Sequence, residues 1–105
     1  MTNNTPGSCH EIAIFRGATG ASMKQVLAAL RGVEPWLTAQ PGFLCRAIRY
    51  DAANQLWIDV VEWESRDKAI SAMRRAGEDP NVGALGAVIE PATMQMLHGD
   101  LVPPV

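Results

Sequence analysis

The pair of residues best suited to chemistry is a carboxylate and a guanidinium on two neighbouring predicted strands. We place Tyr50 opposite Gln55 across a tight turn. Antiparallel pairing then puts Arg46 directly opposite Asp59, and directly opposed residues share a face of the sheet. A carboxylate beside a guanidinium in a partly desolvated site stays ionised, so the pair could bind or deprotonate a phenolic substrate. It could equally be a cross-strand ion pair that only neutralises two buried charges.

Aromatic and histidine side chains could complete a binding site beside this pair. Trp63 could stack on a planar ligand, although large aromatic residues more often fill a core. His10 could act as an acid or base in the same cavity, although a hydrogen-bonded structural histidine is the commoner outcome. Met94 and Met96 are expected to fill the core or a subunit interface. The remaining candidates for contact with a substrate are Trp36, Tyr50, Met73 and His98.

The carboxylate and the guanidinium depend on a β-hairpin. Residues 43–50 and 55–63 are rich in β-branched and aromatic side chains, and residues 51–54 supply turn chemistry. Alternation predicts one face that carries Leu44, Arg46, Ile48, Tyr50, Trp57, Asp59, Val61 and Trp63. The other face is predicted to carry Phe43, Cys45, Ala47, Leu56, Ile58 and Val60. A one-residue slip in register would put the carboxylate and the guanidinium on opposite faces.

The segment before the hairpin predicts a strand followed by a helix. Residues 10–16 form the predicted strand. From residue 22 to residue 39, apolar side chains recur at helical spacing, and Ser22 is suited to cap the helix. Pro35 removes a backbone donor from that helix, so we expect a kink near Val33.

The segment after the hairpin predicts a second helix, a short helical turn and a last strand. Ser65 is suited to cap the helix, which reaches about residue 76. Residues 81–88 predict the helical turn, and residues 92–101 alternate as a strand does. The inward side of the second helix is predicted to carry Ala69, Ile70 and Met73.

This order of elements, β-α-β-β-α-β, predicts an α+β, ferredoxin-like fold. Right-handed crossovers place the helices on one face of a four-stranded antiparallel sheet, with the third strand between the first and the second. That strand order separates Cys9 from Cys45 by about two strand spacings, close to 10 Å, so we expect two thiols rather than a disulfide.

The predicted sheet leaves one face without helices, yet both faces of the hairpin are largely apolar. An exposed apolar surface of that size is unusual for a monomer. A second copy packing sheet against sheet is the simplest cover. The sequence therefore predicts a homodimer through the open sheet face.

Composition limits the remaining possibilities. The 105 residues fit one domain, predicted over residues 9–102 after a flexible N-terminal tail at residues 1–8. A net charge of −2 argues against a nucleic-acid partner. The chain shows no signal-peptide pattern and no apolar run near the roughly 20 residues of a membrane span, so we expect a cytoplasmic protein without a membrane partner. Two cysteines without metal-ligand spacing predict no metal site.

Two short motifs flank the hairpin: Pro41-Gly42-Phe43-Leu44 before it, and Glu62-Trp63-Glu64-Ser65 after it. With them the chain resembles the dimeric α+β barrel superfamily of the antibiotic biosynthesis monooxygenase type over about residues 12–101. More narrowly, the run that begins with residues 32–37 and ends with residues 63–65 is similar to small cofactor-independent monooxygenases. Those enzymes oxidise aromatic polyketide anthrones to quinones. The resemblance implies a cavity between sheet and helices that takes a small aromatic molecule and dioxygen and requires no cofactor.

The resemblance also implies roles for individual residues. The family's Trp is matched by Trp63, its Asn by Asp59 and its Arg by Gly86, so two of three positions depart from the pattern. Asp59 would be the base or its orienter, Arg46 would stabilise the substrate anion, Trp63 would hold the ring and His10 would relay protons. Haem-degrading relatives are disfavoured, because the positions matching their key residues are His10, Ala72 and Val82.

A second hypothesis is a non-catalytic dimeric module that binds small molecules or a partner. In that case Arg46 and Asp59 are structural, and Met73, Trp36 and Trp63 fill the cavity. The absence of the family's arginine at Gly86 favours this module. A cavity open and polar enough for a bicyclic ligand would favour the enzyme, and a collapsed apolar one would favour the module.

Overall fold

The predicted α+β architecture is confirmed by a computed structural model that describes residues 7–104. Its elements are β1 (Cys9–Phe15), α1 (Met23–Gly32), α2 (Glu34–Thr38), β2 (Phe43–Asp51), β3 (Leu56–Trp63), α3 (Arg66–Arg75), α4 (Pro80–Gly86) and β4 (Gln95–Asp100). Short 3₁₀ turns at Ala76–Glu78 and Pro91–Thr93 flank α4. The strands form one antiparallel sheet in the order β2-β3-β1-β4, so β3 lies between β1 and β2 as predicted.

Ser8 connects the start of the described residues to the last strand. Ser8 is buried, and its carbonyl accepts a hydrogen bond from the backbone N–H of Leu101 at 3.1 Å. Residues 1–6 of the predicted tail lie outside the described residues. Within residues 7–104, no helix combines the length and apolarity needed to cross a bilayer.

The helix predicted over residues 22–39 is divided at Val33 into α1 and α2. Ser22 caps α1 through a reciprocal pair of hydrogen bonds with Gln25, which satisfies backbone donors at the start of the helix. Pro35 occupies the first turn of α2, where its missing N–H costs no helical hydrogen bond. The kink expected near Val33 is therefore confirmed as a break between two helices.

The hairpin register differs from the prediction by two residues. Tyr50 pairs with Trp57 rather than with Gln55, because Gln55 adopts a left-handed φ of 55° and belongs to the turn. The side chain and backbone of Asn54 hydrogen-bond the carboxylate of Asp51 and hold its pKa below the ordinary value. A shift of two residues preserves the alternation of side chains, so the predicted faces are kept from Cys45 onward.

A β-bulge between Phe43 and Cys45 corrects the predicted face of Phe43. The bulge adds a residue to β2, which turns Phe43 to the helix-covered side. There its ring meets that of Trp63 edge to face, with centroids 6.0 Å apart and an interplanar angle of 88°.

Two clusters of buried side chains fill the space between the sheet and the helices. One contains Cys9, Leu37, Val61, Trp63, Ala69 and Ala72. The other contains Phe15, Val26, Leu30, Trp57 and Ile89. Ala72 occupies the inward side of α3, whereas Met73, predicted to face inward, is 44% exposed. The small alanine allows α3 to approach the sheet closely, and Met73 lies outside that contact.

The helix-free face of the sheet carries His10, which corrects its predicted place in the cavity. Cys9 and Phe15 on β1 are buried against the helices, so the alternating positions, His10 among them, point to the other face. There His10 lies opposite Glu62, and its Nε2 contacts the buried Glu62 carboxylate. The open face also carries half-buried or exposed apolar side chains: Ile12, Ile14, Ile58, Val60 and Leu97.

The turn before β2 makes Gly42 the most constrained glycine of the fold. We expect Gly42→Ala to lower the free energy of unfolding by roughly 2–5 kcal/mol. About 1–2 kcal/mol comes from the left-handed backbone and about 1–3 kcal/mol from overpacking. Gly42 has a φ of 87°, and an added Cβ would lie 2.6 Å from Cβ of Lys68. Urea unfolding measures the loss.

Gly20→Ala is the matched control for this prediction. Gly20 has a φ of 86°, but an added Cβ would meet nothing within 4 Å. Only the backbone cost of about 1–2 kcal/mol should appear there. Equal losses in the two variants would contradict the steric part of the argument.

Candidate functional site

A cavity of about 280 Å³ lies between the sheet and α4. Its volume is close to the lower end of the roughly 300–1,000 Å³ typical of small-molecule sites. The walls are largely apolar and include Val61, Val82, Leu85, Ile89, Met94 and Met96. Two carboxylates, those of Glu11 and Asp59, interrupt this apolar lining. The cavity therefore suits a small, mostly apolar molecule that carries a polar group.

Asp59 is fixed at the cavity wall by Arg46, as the sequence predicted. The Nε and Nη2 atoms of Arg46 donate to the two carboxylate oxygens of Asp59 at 2.9 and 2.7 Å. The side chains of Arg46 and Asp59 are 3% and 13% exposed. Arg46 and Asp59 are diagonal rather than directly opposed, because Arg46 faces Val61 and Asp59 faces Ile48. The length of the arginine side chain spans the diagonal.

The guanidinium of Arg46 does not line the cavity, which corrects its expected direct contact with a substrate anion. Its remaining terminal nitrogen, Nη1, donates to the carbonyl of Leu30 at 2.8 Å and lies 3.6 Å from Oε1 of Glu34. All three nitrogens are thus engaged by protein groups. Arg46 acts on the cavity through Asp59, whose position it fixes.

Glu11 is a cavity residue that the sequence argument did not select. On β1, Glu11 pairs with Val61 of β3. Asp59 of β3 pairs with Ala13, so Glu11 and Asp59 are diagonal neighbours. Its Oε2 accepts a hydrogen bond from Nε2 of His98 at 2.9 Å, and the two side chains are 15% and 10% exposed. One signal in the sequence could have indicated Glu11. Alternation along the strand puts its carboxylate on the same side as Phe15, a core residue.

His98 stands next to Glu11 but does not itself line the cavity. It lies on β4 directly opposite Glu11 on β1, so the hydrogen bond joins two paired strands. The expected place of His98 among the cavity-lining residues is therefore corrected, because His98 contacts the cavity residue Glu11 instead. Met94 and Met96, expected to fill core or interface, line the cavity instead.

The predicted aromatic residues do not gather at this cavity. Trp63 is 1% exposed and belongs to the core cluster around Cys9, and Trp36 packs against the same cluster. The Nε1 atom of Trp63 has no hydrogen-bond partner in the described part of the chain. The large apolar area of Trp63 is thus used for packing, which corrects its expected role in holding a substrate ring.

Tyr50 lies at a second cavity, near the hairpin turn. Its ring is tilted by 58° to that of Trp57, with centroids 4.9 Å apart. This cavity measures about 290 Å³ and is also lined by Arg16 and Glu90. Tyr50 lines this second cavity and Asp59 lines the cavity under α4, so the two side chains do not share a cavity.

The cysteines and histidines form no metal-binding group among residues 7–104. Cys9 and Cys45 lie on strands that flank β3, and no disulfide joins them. Burial raises the pKa of the Cys9 thiol, and the nearby Asp100 carboxylate adds to this increase.

Comparison with known proteins gives matches in structure alone. No family model matches the chain, and no curated protein matches its sequence. A candidate antibiotic biosynthesis monooxygenase from Bordetella bronchiseptica superposes with a TM-score of 0.76 at 23% identity, over 92% of this chain and 99% of that one. SnoaB, a cofactor-independent oxygenase from Streptomyces nogalater, gives a TM-score of 0.70 at 15% identity, over 94% and 95% of the two chains.

A further candidate antibiotic biosynthesis monooxygenase, from Nitrosomonas europaea, gives a TM-score of 0.68 at 13% identity, over 94% of each chain. The coverage is nearly complete in all three comparisons. The chain therefore has the ferredoxin-like α+β fold of antibiotic biosynthesis monooxygenase-like proteins.

We expect the contributions of Arg46 and Asp59 to stability to be strongly coupled, because the two side chains form an ion pair. We expect Arg46→Met to lower the free energy of unfolding by roughly 3–5 kcal/mol, because it leaves the Asp59 carboxylate buried without its partner. Asp59→Leu should also destabilise, because it leaves a buried guanidinium. The double variant should lose no more than Arg46→Met alone, since an apolar pair can replace a buried ion pair. Urea unfolding of the four proteins measures the coupling, and additive losses would show that the two side chains act independently.

Proposed function

We propose that this protein is a cofactor-independent monooxygenase that oxidises a small aromatic, polyketide-like substrate to a quinone. The observation that carries the proposal is the largely apolar cavity of about 280 Å³, in which Asp59 is held by a buried guanidinium. The fold is shared with SnoaB, a cofactor-independent oxygenase. Fold likeness is an associational argument for activity, so the geometry of the cavity supports the proposal more directly.

The apolar walls would hold the rings of the substrate, and Asp59 would accept a hydrogen bond from a ring hydroxyl. Both oxygens of Asp59 already accept from Arg46, which leaves the carboxylate rigid and suited to orient a substrate. This favours Asp59 as the orienter over Asp59 as the base. Arg46 would contribute by neutralising the Asp59 charge next to the substrate anion.

The proposed reaction starts with removal of a proton from a methylene group that lies between aromatic rings. The resulting anion transfers one electron to dioxygen, and the two radicals combine to a peroxide at that carbon. The peroxide then loses water. One oxygen atom of dioxygen becomes the new carbonyl of the quinone, and the other leaves in water with the two methylene hydrogens. The substrate supplies the electrons, so the reaction requires no flavin and no metal.

The non-catalytic alternative required a cavity filled by Met73, Trp36 and Trp63. Trp36 and Trp63 pack in the core cluster around Cys9, and Met73 is 44% exposed. These positions leave the cavity beside Asp59 open, which favours ligand binding. Gly86 lines the cavity at the position matched to the family's arginine, so any stabilisation of the anion must come from other residues.

We also propose that two copies pair through the open face of the sheet. A row of apolar side chains crosses all four strands of this face, because Ile12 pairs with Val60 and Leu97, and Val60 pairs with Ala47. Leu97 is 50% exposed in the single chain. Sheet-against-sheet packing would bury this row, and an isologous dimer leaves no further copy of the face exposed.

The oxidation is tested by oxygen uptake of the purified, metal-free protein with a panel of anthrones and hydroquinones. We expect uptake together with the appearance of quinone absorbance. Asp59→Asn should lower kcat/KM by roughly 10-fold to 100-fold, the equivalent of one charge-assisted hydrogen bond. Glu64→Gln, which changes an exposed carboxylate near the same strand, is the control. A folded protein that binds the aromatic molecules without uptake would instead support the binding module.

The pairing is tested by sedimentation at micromolar concentration. We expect a mass near twice the chain mass of 11.3 kDa. Leu97→Lys should shift the protein toward the monomer, because the charge would be buried in the interface. Met23→Lys, at a 53% exposed position on α1, should leave the mass unchanged. A wild-type mass near that of one chain would contradict the proposal.

A further inference from the structure

We infer that Glu11 is the proton acceptor of the cavity and that His98 is its positioning residue. This inference rests on the proposed function of the same cavity, and it adds that the substrate enters the cavity without a charge. The two carboxylates that line the cavity, those of Glu11 and Asp59, differ in their capacity to receive a proton.

Asp59 is poorly placed to receive a proton. Each of its oxygens accepts a hydrogen bond from the buried guanidinium of Arg46, at 2.9 and 2.7 Å. A proton on either oxygen would have to displace one of these charge-assisted hydrogen bonds. Arg46 itself cannot move away easily, because its third nitrogen is held by the carbonyl of Leu30.

Glu11 has the capacity that Asp59 lacks. Its Oε2 accepts from His98, and within residues 7–104 its Oε1 has no hydrogen-bond partner. Glu11 lines the cavity directly, and its side chain is 15% exposed, so it is held without being enclosed. Glu11 can therefore accept a proton on Oε1 while the hydrogen bond to His98 keeps the carboxylate oriented.

His98 supports this orientation from a paired strand. It faces Glu11 across the β1–β4 ladder, and its side chain is 10% exposed. Its backbone carbonyl also accepts from Arg66 at 3.3 Å. Because His98 does not line the cavity, it affects the substrate through the position of Glu11.

The charge balance of the cavity fits this assignment. In the step, the C–H bond of the substrate methylene breaks and its electron pair is delocalised onto the ring carbonyl oxygen. The proton forms a new O–H bond on Glu11. Glu11 is then neutral, and Asp59 is already neutralised by Arg46. The substrate anion therefore forms beside no uncompensated negative charge. Before the step, Glu11 would repel an aromatic carboxylate, so a neutral substrate is favoured.

The test is the anaerobic exchange of the methylene hydrogens of anthrone into deuterated water, followed by NMR. Exchange reports proton removal without oxidation. We expect the wild-type protein to accelerate exchange, and Glu11→Gln to reduce the catalysed rate by roughly 100-fold or more, as for loss of a general base. The glutamine oxygen can still accept from His98, which preserves the local structure. Asp59→Asn should raise KM more than it lowers the maximal exchange rate.

His98 is tested by a conservative rescue. His98→Leu should lower the maximal exchange rate about tenfold with little change in KM, because Glu11 loses its fixed orientation. His98→Gln, which keeps a donor toward Glu11, should restore most of the rate. Glu90→Gln changes a carboxylate at the second cavity, so it is the control for anthrone binding at that cavity. Circular dichroism checks that each variant is folded.

The outcomes separate this inference from the proposed oxidation. Exchange that depends on Glu11 without oxygen uptake would support the proton acceptor and contradict the monooxygenase. Oxygen uptake with exchange unchanged in Glu11→Gln would overturn the inference and leave the monooxygenase intact. A wild-type protein that does not accelerate exchange would also overturn the assignment of Glu11.

Discussion

The buried guanidinium of Arg46 is the contact that joins the parts of this fold. It starts on β2, fixes Asp59 on β3, caps a carbonyl near the end of α1 and approaches Glu34 on α2. The last carbonyls of a helix have no hydrogen-bond donor within the helix and carry a partial negative charge. A cation placed there donates the missing hydrogen bond and also compensates the charge. One side chain thus links the sheet to α1 and α2, and it fixes Asp59, which lines the cavity under α4.

The topology was predictable because its signals are local. Ser22 and Ser65 each begin a helix with a hydrogen bond to the backbone, and Pro35 marks the break between α1 and α2. The contact between Arg46 and Asp59 survived an error of two residues in register. An even shift leaves every side chain on its face, and a long arginine can span the diagonal. The error itself came from Gln55, whose left-handed φ no rule of composition indicates.

The site was harder to predict than the fold. The first strand is apolar on both sides, so the sequence could not show which side faces the helices. The burial of Cys9 and Phe15 decided it and put His10 outside and Glu11 inside. Trp63 shares its face with Asp59, as predicted, but a face is long enough to contain both a packed core and a cavity. Which of the two a residue occupies depends on the helix above it: α3 packs its small residues Ala69 and Ala72 near Trp63, whereas α4 leaves space above Asp59.

The glycine at position 86 has a consequence for how this scaffold can change. It lines the cavity, lies in α4 with an ordinary helical backbone, and an added Cβ there would meet nothing within 4 Å. Replacing a helical glycine also removes an entropic cost of about 0.5–1 kcal/mol. An alanine at this position is therefore expected to fit without a steric clash. The lining of the cavity can thus change at this position while both core clusters stay the same.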